Sequence, residues 1–300
     1  MKLVIGIDGG GSTVRVAVTS SDLTVLASAQ GGSANPNSAG REAAAQAVQD
    51  TIRAALAAAS LAPDAIAAVG VGIAGTVTAR DWARETVAAV LPNALIRIAS
   101  DFEIALVGAH GERRGVLILS GTGSVAYGIN AAGESAQVGG WGYLLGDEGS
   151  GYLLGLKALQ AVVRAADGRG QPTALTESIL GALHLADPRD LIQWIYSPES
   201  SFSRTRGIAQ LAPAVLTTHD PVAQALIAES VSELALMAQT VVHRLRIGSP
   251  TFAFAGGLLS EPNSLSAGLC VALALPSLPV PKYPPVIGAA LLAALALPGH

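Results

Sequence analysis

Cysteine is nearly absent from this sequence of 300 residues: Cys270 is the only one, and it lies in the apolar run 267–273. A single cysteine excludes a disulfide within the chain, a cysteine-rich zinc site and most iron–sulfur ligation. The five histidines show no metal-ligand spacing. The sequence therefore indicates that Cys270 packs in the interior and that the chemistry of this chain does not depend on a thiolate.

Charge is also scarce. Charged residues make up 13% of the chain, with 18 Lys and Arg against 22 Asp and Glu, and no basic block. This balance argues against nucleic acid or an anionic membrane as a partner. The longest apolar run, 286–297, is too short to span a bilayer, and the N-terminus enters a strand without a basic region and cleavage site. We therefore expect a cytoplasmic protein that binds small molecules, with no membrane partner.

Glycine is abundant and forms two similar turns. An apolar strand leads into Asp8 and the turn 9–13, and a second leads into the turn 120–124. Glycine permits close approach of backbone N–H groups to a phosphate, and hydroxyls add donors. Two such turns, each followed by another apolar strand, predict a nucleoside triphosphate held between two similar domains. The predicted ATP-binding residues of the two turns are Gly10, Gly11, Ser12, Gly121, Thr122 and Gly123.

The order of elements predicts an α/β protein of two domains. Strands are predicted at 2–8, 14–19, 24–30, 65–73, 94–99, 115–120, 124–129, 134–138, 251–255 and 278–280, with helices at about 38–59, 80–90, 102–109, 152–166, 173–184, 187–196, 204–216, 220–246, 261–273 and 286–297. The three-strand pattern restarts near residue 115, so we predict one domain over 1–112 and a second over 113–300. The terminal helix 286–297 can pack back on either domain, the first included. The repeat resembles the two-domain actin-like (ribonuclease H-like) ATPase fold, with a cleft between the domains.

Two acids end predicted strands. Asp8 directly precedes the first glycine turn, where a carboxylate can orient Mg²⁺ through water. Asp101 follows strand 94–99 at the start of a helix, so it is either a residue stabilised by the helix dipole or a general base. A position at the carboxyl end of a strand favours a site. Glu103 lies on a different helical face and is interpreted as structural.

Three further segments carry polar groups in loops. The Asn35 amide can accept from one sugar hydroxyl and donate to another oxygen. The stretch 138–151 holds six glycines, and in it Asp147 can take two sugar hydroxyls while Trp141 braces the loop or stacks on a ring. The pair Gly256-Gly257 would let adenine lie against backbone, with Ser260 as a nearby polar contact.

These segments together resemble one family. The stretches that carry the likeness are 7–12, 32–35, 100–101, 120–124, 139–142 with 146–150, and 255–257. They look like the N-acetylglucosamine kinase group of the BadF/BadG/BcrA/BcrD-type ATPase family, and the likeness runs through nearly the whole chain. The resemblance implies a catalytic base at Asp101, phosphate contacts from Ser12 and Thr122, and often a homodimer. It also implies that the amino sugar is bound by Asn35, Gly140, Trp141, Gly142 and Asp147.

The resemblance implies an ATP- and Mg²⁺-dependent kinase acting on the 6-hydroxyl of N-acetylglucosamine, N-acetylmuramic acid or both. One alternative is a glucosamine kinase, although those enzymes lack the Trp141 loop as written here. A second is an activator ATPase of 2-hydroxyacyl-CoA dehydratases, which needs two cysteines per subunit where this chain has Cys270 alone. A sugar-sensing repressor and a chaperone-type ATPase are two more. Dependence of ATP turnover on an added hexosamine separates them.

Overall fold

The computed structural model describes residues 2–74, 79–197 and 201–298. The chain divides into two compact units. The first contains the residues up to 115 together with 131–133 and those from 280 onward, and the second contains 116–130 and 134–279. The sequence placed the boundary between 112 and 113 and left open which domain the terminal helix 286–297 packs on; it did not predict the short return at 131–133.

The first unit is built on a five-stranded sheet. Its strands are β1 (Leu3–Gly9), β2 (Val14–Ser20), β3 (Val25–Gly31), β4 (Ile66–Ile73) and β5 (Leu95–Ala99), and its helices include α1 (Pro36–Ala39), α2 (Arg41–Ala58), α3 (Arg80–Ala88) and α4 (Asp101–His110). The strand order is β3-β2-β1-β4-β5, with β1 antiparallel to β2 and parallel to β4. β1 and β4 are buried almost throughout, as expected for parallel strands covered on both faces.

The second unit repeats this plan with a smaller sheet. Its strands are β6 (Gly115–Ser120), β7 (Ser124–Ile129), β8 (Ser135–Gly139) and β9 (Phe252–Ala255), and its helices are α5 (Gly151–Ala166), α6 (Leu175–Leu183), α7 (Asp190–Ile195), α8 (Ser201–Ala209), α9 (Ala212–Thr217), α10 (Pro221–Arg244) and α11 (Ser264–Ala272). The strand order is β8-β7-β6-β9, and β6 runs parallel to β9. The α/β prediction is confirmed.

A last helix, α12 (Pro285–Leu295), lies in the first unit, where it packs on β1, β4 and α4. Glycine in both central strands permits this contact. A Cβ atom on Gly6 would lie 1.9 Å from the carbonyl oxygen of Val286, and one on Gly70 would lie 1.8 Å from that of Ala289. The backbone of the helix therefore touches the backbone of the sheet, at a distance that no other residue type allows.

Three sequence predictions of local structure are wrong. Residues 278–280 form no strand, because Pro279 and Pro281 cannot donate to a sheet ladder. The helix predicted at 204–216 is two helices, α8 and α9. Pro213 lies in the first turn of α9, where proline is tolerated at the start of a helix. The helix predicted from about 38 to 59 is interrupted at Gly40, whose φ of +82° separates α1 from α2.

Among the described helices, α10 alone has the length and apolar composition that could cross a membrane. Core helices share these properties. Eight of its side chains are buried within the second unit, and it packs on β7, β8, α5 and α11. Its apolar composition therefore has an explanation in the core of the second unit.

Candidate active site

Two carboxyl groups lie at one edge of the first sheet. Asp8 is near the end of β1, and Asp101 is the first residue of α4, with Ser100 alone between it and β5. β1, β4 and β5 are mutually parallel, so their carboxyl ends share this edge. Burial raises the pKa of both carboxyls, and the charge of Asp101 raises the pKa of Asp8 further. The two acids therefore lie close enough to influence each other.

Arg15 is the cationic neighbour of Asp8. The two residues are directly opposed across the β1–β2 pair, with 3.6 Å between Arg15 Nη1 and Asp8 Oδ2. The positive charge of the arginine lowers the pKa of Asp8 and so opposes the larger rise that burial causes. Sequence analysis missed Arg15, because it assigned no register to the pair of strands predicted at 2–8 and 14–19.

The start of α4 is held by local contacts. The hydroxyl of Ser100 accepts a hydrogen bond from the N–H of Glu103 at 3.0 Å, as an N-cap residue does. The N–H groups of Phe102 and of Asp101 itself hydrogen-bond to the Asp101 carboxyl and oppose the rise of its pKa. The helix N-terminus thus orients Asp101 at the sheet edge.

Glu103 serves the structure of the same helix. Its Oε1 accepts from Arg113 Nε at 2.9 Å and lies 3.8 Å from Arg97 Nη2. The side chain is 12% exposed, so this buried carboxylate is paired with two cations. The ion pairs connect β5, the first turn of α4 and the segment that follows that helix.

Asn35 lies beside the first glycine turn. The N–H of Ala34 donates to Gly10 O at 3.2 Å, and the turn itself is closed by Gly10 N–H donating to Thr13 O at 2.8 Å. Asn35 Oδ1 accepts from Asn37 N–H at 2.9 Å and caps α1. The structure therefore brings Asn35, the turn 10–12 and Asp8 into one region of the first unit.

In the second unit, the turn at residues 120–124, here called the serine turn, is anchored by its two serines. Ser120 Oγ donates to Gly149 O at 2.8 Å, and Ser124 Oγ donates to Glu148 O at 2.7 Å. Gly121 N–H donates to Gly123 O at 2.9 Å, and Thr122 is exposed at the tip. The serine hydroxyls thus fix the turn, and its glycines and Thr122 form the surface available to a ligand.

A second turn, after β9, lies against the serine turn because β6 and β9 are parallel neighbours. Leu258 N–H donates to Ser120 O at 3.1 Å. Ser260 Oγ donates to Gly256 O at 2.8 Å, so this hydroxyl closes the turn. Gly256 has a φ of +85°, and a Cβ atom there would lie 2.2 Å from Ser120 O. Gly257 faces open space.

The loop at residues 139–146, here called the tryptophan loop, follows β8. Trp141 is 75% exposed, and Gly140 and Gly142 are exposed beside it. Asp147, at the end of the loop, is only 8% exposed. Burial raises its pKa, whereas hydrogen bonds from the N–H groups of Ser124 and Gly142 oppose that rise. The loop and the serine turn therefore meet at one carboxylate.

The predicted site residues form two sets, one within each unit. Asp8, Asp101, Asn35 and the turn 10–12 lie together in the first unit. The second unit joins the serine turn, the Gly256–Ser260 turn and the tryptophan loop with Asp147. Within residues 2–74, 79–197 and 201–298, no three metal-binding side chains cluster. The carboxylate oxygens of Asp8 are nevertheless hard donors of the kind that Mg²⁺ takes beside phosphates and water, so the acid pair fits that ion.

Two units that each begin with three adjacent strands, with a glycine-rich turn between the first two, define a protein of the actin-like ATPase class. The model of the BadF/BadG/BcrA/BcrD ATPase family matches residues 5–293. The chain belongs to this family, and the resemblance inferred from its motifs is confirmed.

Known proteins are similar to this chain in sequence or in fold. The chain is 34% identical over 269 residues to the N-acetylmuramic acid/N-acetylglucosamine kinase of Clostridium acetobutylicum, covering 88% of each sequence. A crystal structure from Chromobacterium violaceum, described as a candidate N-acetylglucosamine kinase, is 32% identical with a TM-score of 0.79, and the match covers 97% of this chain and 99% of that one. A ROK-family glucokinase from Streptomyces griseus shares the fold at 18% identity and a TM-score of 0.57, covering 98% and 100%.

Proposed function

We propose that this chain is an ATP-dependent amino-sugar kinase that transfers the γ-phosphoryl group of ATP to the 6-hydroxyl of N-acetylglucosamine, N-acetylmuramic acid or both. Membership of an ATPase family supports the use of ATP. The relatives named as kinases of these sugars support the acceptor. The observation that carries the proposal is the pair of carboxyl groups, Asp8 and Asp101, at the sheet edge beside a glycine-rich turn.

Asp101 is the catalytic base of this reaction. It takes the proton of the acceptor hydroxyl while the oxygen bonds to the γ-phosphorus and ADP leaves. A carboxyl with a raised pKa is a better proton acceptor than an ordinary aspartate, provided that it stays ionised at the working pH. Burial of Asp101 therefore suits the role.

Asp8 would hold Mg²⁺ through water, and Arg15 lowers the pKa of this carboxyl against the larger effect of burial. When bound, Mg²⁺ neutralises charge on the phosphates. The separate positions of the two acids, one on a strand and one on a helix, support separate roles.

The remaining predicted residues bind the two substrates. For ATP, the backbone of the first glycine turn with Ser12 and that of the serine turn with Thr122 take the phosphates, and Gly256, Gly257 and Ser260 lie by the adenosine. The exposure of Thr122 and Gly257 supports these roles. For the amino sugar, the proposed ligands are Asn35, Gly140, Trp141, Gly142 and Asp147.

ADP release should be measured with N-acetylglucosamine, N-acetylmuramic acid, glucosamine or no sugar. We expect turnover that requires an N-acetylated hexosamine. Asp101→Asn should lower kcat by roughly 10²-fold or more while leaving ATP binding intact. Asp81→Asn is the matched control, because Asp81 is an exposed acid in the first turn of α3. Turnover without a hexosamine, or near wild-type kcat in Asp101→Asn, would contradict the proposal.

A further inference from the structure

We infer that Asp147 is a positioning residue that couples the serine turn to the tryptophan loop, so that nucleotide and sugar promote each other's binding. This inference rests on the proposed function, which assigns the phosphates to that turn and the amino sugar to that loop. It adds a role for Asp147 beyond contact with the sugar: transmission between two sites within the second unit.

The position of the Asp147 carboxyl is the first observation. The N–H groups of Ser124, at the end of the serine turn, and of Gly142, in the tryptophan loop, both lower its pKa, so both lie beside it. A Cβ atom placed on Gly123 would lie 2.8 Å from Asp147 Oδ2, so the carboxyl lies directly against the turn. One side chain thus reaches both segments.

The backbone of Asp147 is the second observation. Its φ of +64° lies in the left-handed region, which is uncommon for a residue other than glycine. The side chain is 8% exposed in a loop whose neighbours Leu144 and Leu145 are 80% and 79% exposed. This unusual conformation turns the carboxyl inward, away from the exposed part of the loop.

The other contacts of the tryptophan loop are less suited to transmission. The N–H groups of Leu145 and Gly146 both donate to Gly142 O, so these bonds are internal to the loop. The serines of the serine turn instead bond to the backbone at 148–149, beyond Asp147. The carboxyl of Asp147 therefore adds a direct link from the serine turn to Gly142.

Such a shared acceptor produces coupling. When a ligand orders one segment, it also fixes the position of the carboxyl that contacts the other segment. The second ligand then pays less conformational entropy to order its own segment. The effect is reciprocal by thermodynamic linkage. Two backbone N–H groups leave part of the acceptor capacity of a carboxylate for sugar hydroxyls. The coupling role and sugar binding are therefore compatible.

The first test uses hydrogen exchange of the ligand-free full chain, followed by mass spectrometry of peptides covering 120–126 and 139–146. Asp147→Asn should speed exchange in both peptides, by about fivefold or more, because the neutral amide replaces one acceptor oxygen with an NH₂ donor and weakens the other as an acceptor. Glu148→Gln is the matched control, since it removes the adjacent charge without touching this link, and it should leave both peptides unchanged. Faster exchange in 139–146 alone would overturn the inference.

The second test measures the dissociation constant of a non-hydrolysable ATP analogue with Mg²⁺, with and without saturating N-acetylglucosamine, by calorimetry. We expect the sugar to tighten nucleotide binding to the wild type by about fivefold or more, and the ratio in Asp147→Asn to approach one. A wild-type ratio retained in the variant would refute the coupling role.

A second variant keeps the test decisive if Asp147→Asn does not fold. Gly123→Ala keeps the charge of Asp147 but places a Cβ atom against its Oδ2, and Gly123 does not have a positive φ. It should reduce the ratio as Asp147→Asn does, and a wild-type ratio would again overturn the inference. A wild type that binds no hexosamine would refute the proposed function instead, whereas the exchange experiment would still decide whether Asp147 links the two segments.

Discussion

Gly256→Ala should destabilise the protein and weaken ATP binding, because the turn after β9 has no space for a Cβ atom at this position. The added Cβ atom would lie 2.2 Å from Ser120 O and 3.1 Å from Gly121 N, and real Cβ contacts essentially never fall below 3.0 Å. The backbone at Ser120 must therefore move, which stretches the hydrogen bond that Ser120 O accepts from Leu258. Weakening this bond should cost about 1 kcal/mol of stability. Holding alanine at a φ of +85° adds about 1–2 kcal/mol.

Together these effects correspond to a loss of about 2–3 kcal/mol and a Tm lower by about 5–10 °C. Gly121 moves with Ser120, so the KM for ATP should rise by about tenfold, equivalent to about 1.4 kcal/mol, while the KM for the sugar changes little. Differential scanning fluorimetry and ADP-release kinetics measure the two effects.

Gly257→Ala is the control for this experiment. Gly257 has open space around its Cβ position and no positive φ, so alanine there should leave Tm within about 1 °C of the wild type. If Gly257 lies by the adenosine, this variant should still raise the KM for ATP. Equal stability of the two alanine variants would refute the argument from close approach at Gly256.

Three further predictions concern the first unit. Asp101→Asn should raise Tm at neutral pH, since a carboxyl whose pKa is raised by folding destabilises the folded state when ionised; the gain should vanish below about pH 4, where both states are protonated. Glu103→Gln should cost about 1–3 kcal/mol in urea unfolding, whereas Glu112→Gln, at an exposed ion pair, should change little. Arg15→Gln should let the pKa of Asp8 rise further. On lowering the pH from about 8 to about 6, the Mg²⁺ concentration needed for activity should then increase more in this variant than in the wild type. The same increase in both proteins would contradict this role of Arg15.

Much of the fold could be predicted because its signals are local. Apolar runs that end in glycine predicted β1 and β6, and the helix predicted at about 102–109 is α4. The position of α12 could not be predicted, since its alanine-rich surface fits many apolar faces. What selects its site is the pair Gly6 and Gly70, which are far from it in sequence and become neighbours only in the folded sheet.

The residues of the candidate site likewise include some that have a local sequence signal and some that do not. Asp8 and Asp101 were predicted because each lies at the carboxyl end of an apolar strand. Arg15 could be found only from the register of the β1–β2 pair, which the sequence left open. The bonds of Asp147 to Ser124 and Gly142 depend on how a glycine-rich loop folds back, and this conformation has no local sequence signal.

The location of α12 also determines the order in which this protein can be completed during synthesis. The strands that α12 covers leave the ribosome first, and the helix itself follows only after the whole second unit. Until then, the small apolar face of β1 and β4 that it covers, including Val4 and Ala68, is exposed. The first unit is therefore finished last, and a nascent chain halted before Pro285 would expose a sheet surface open to chaperones or to aggregation.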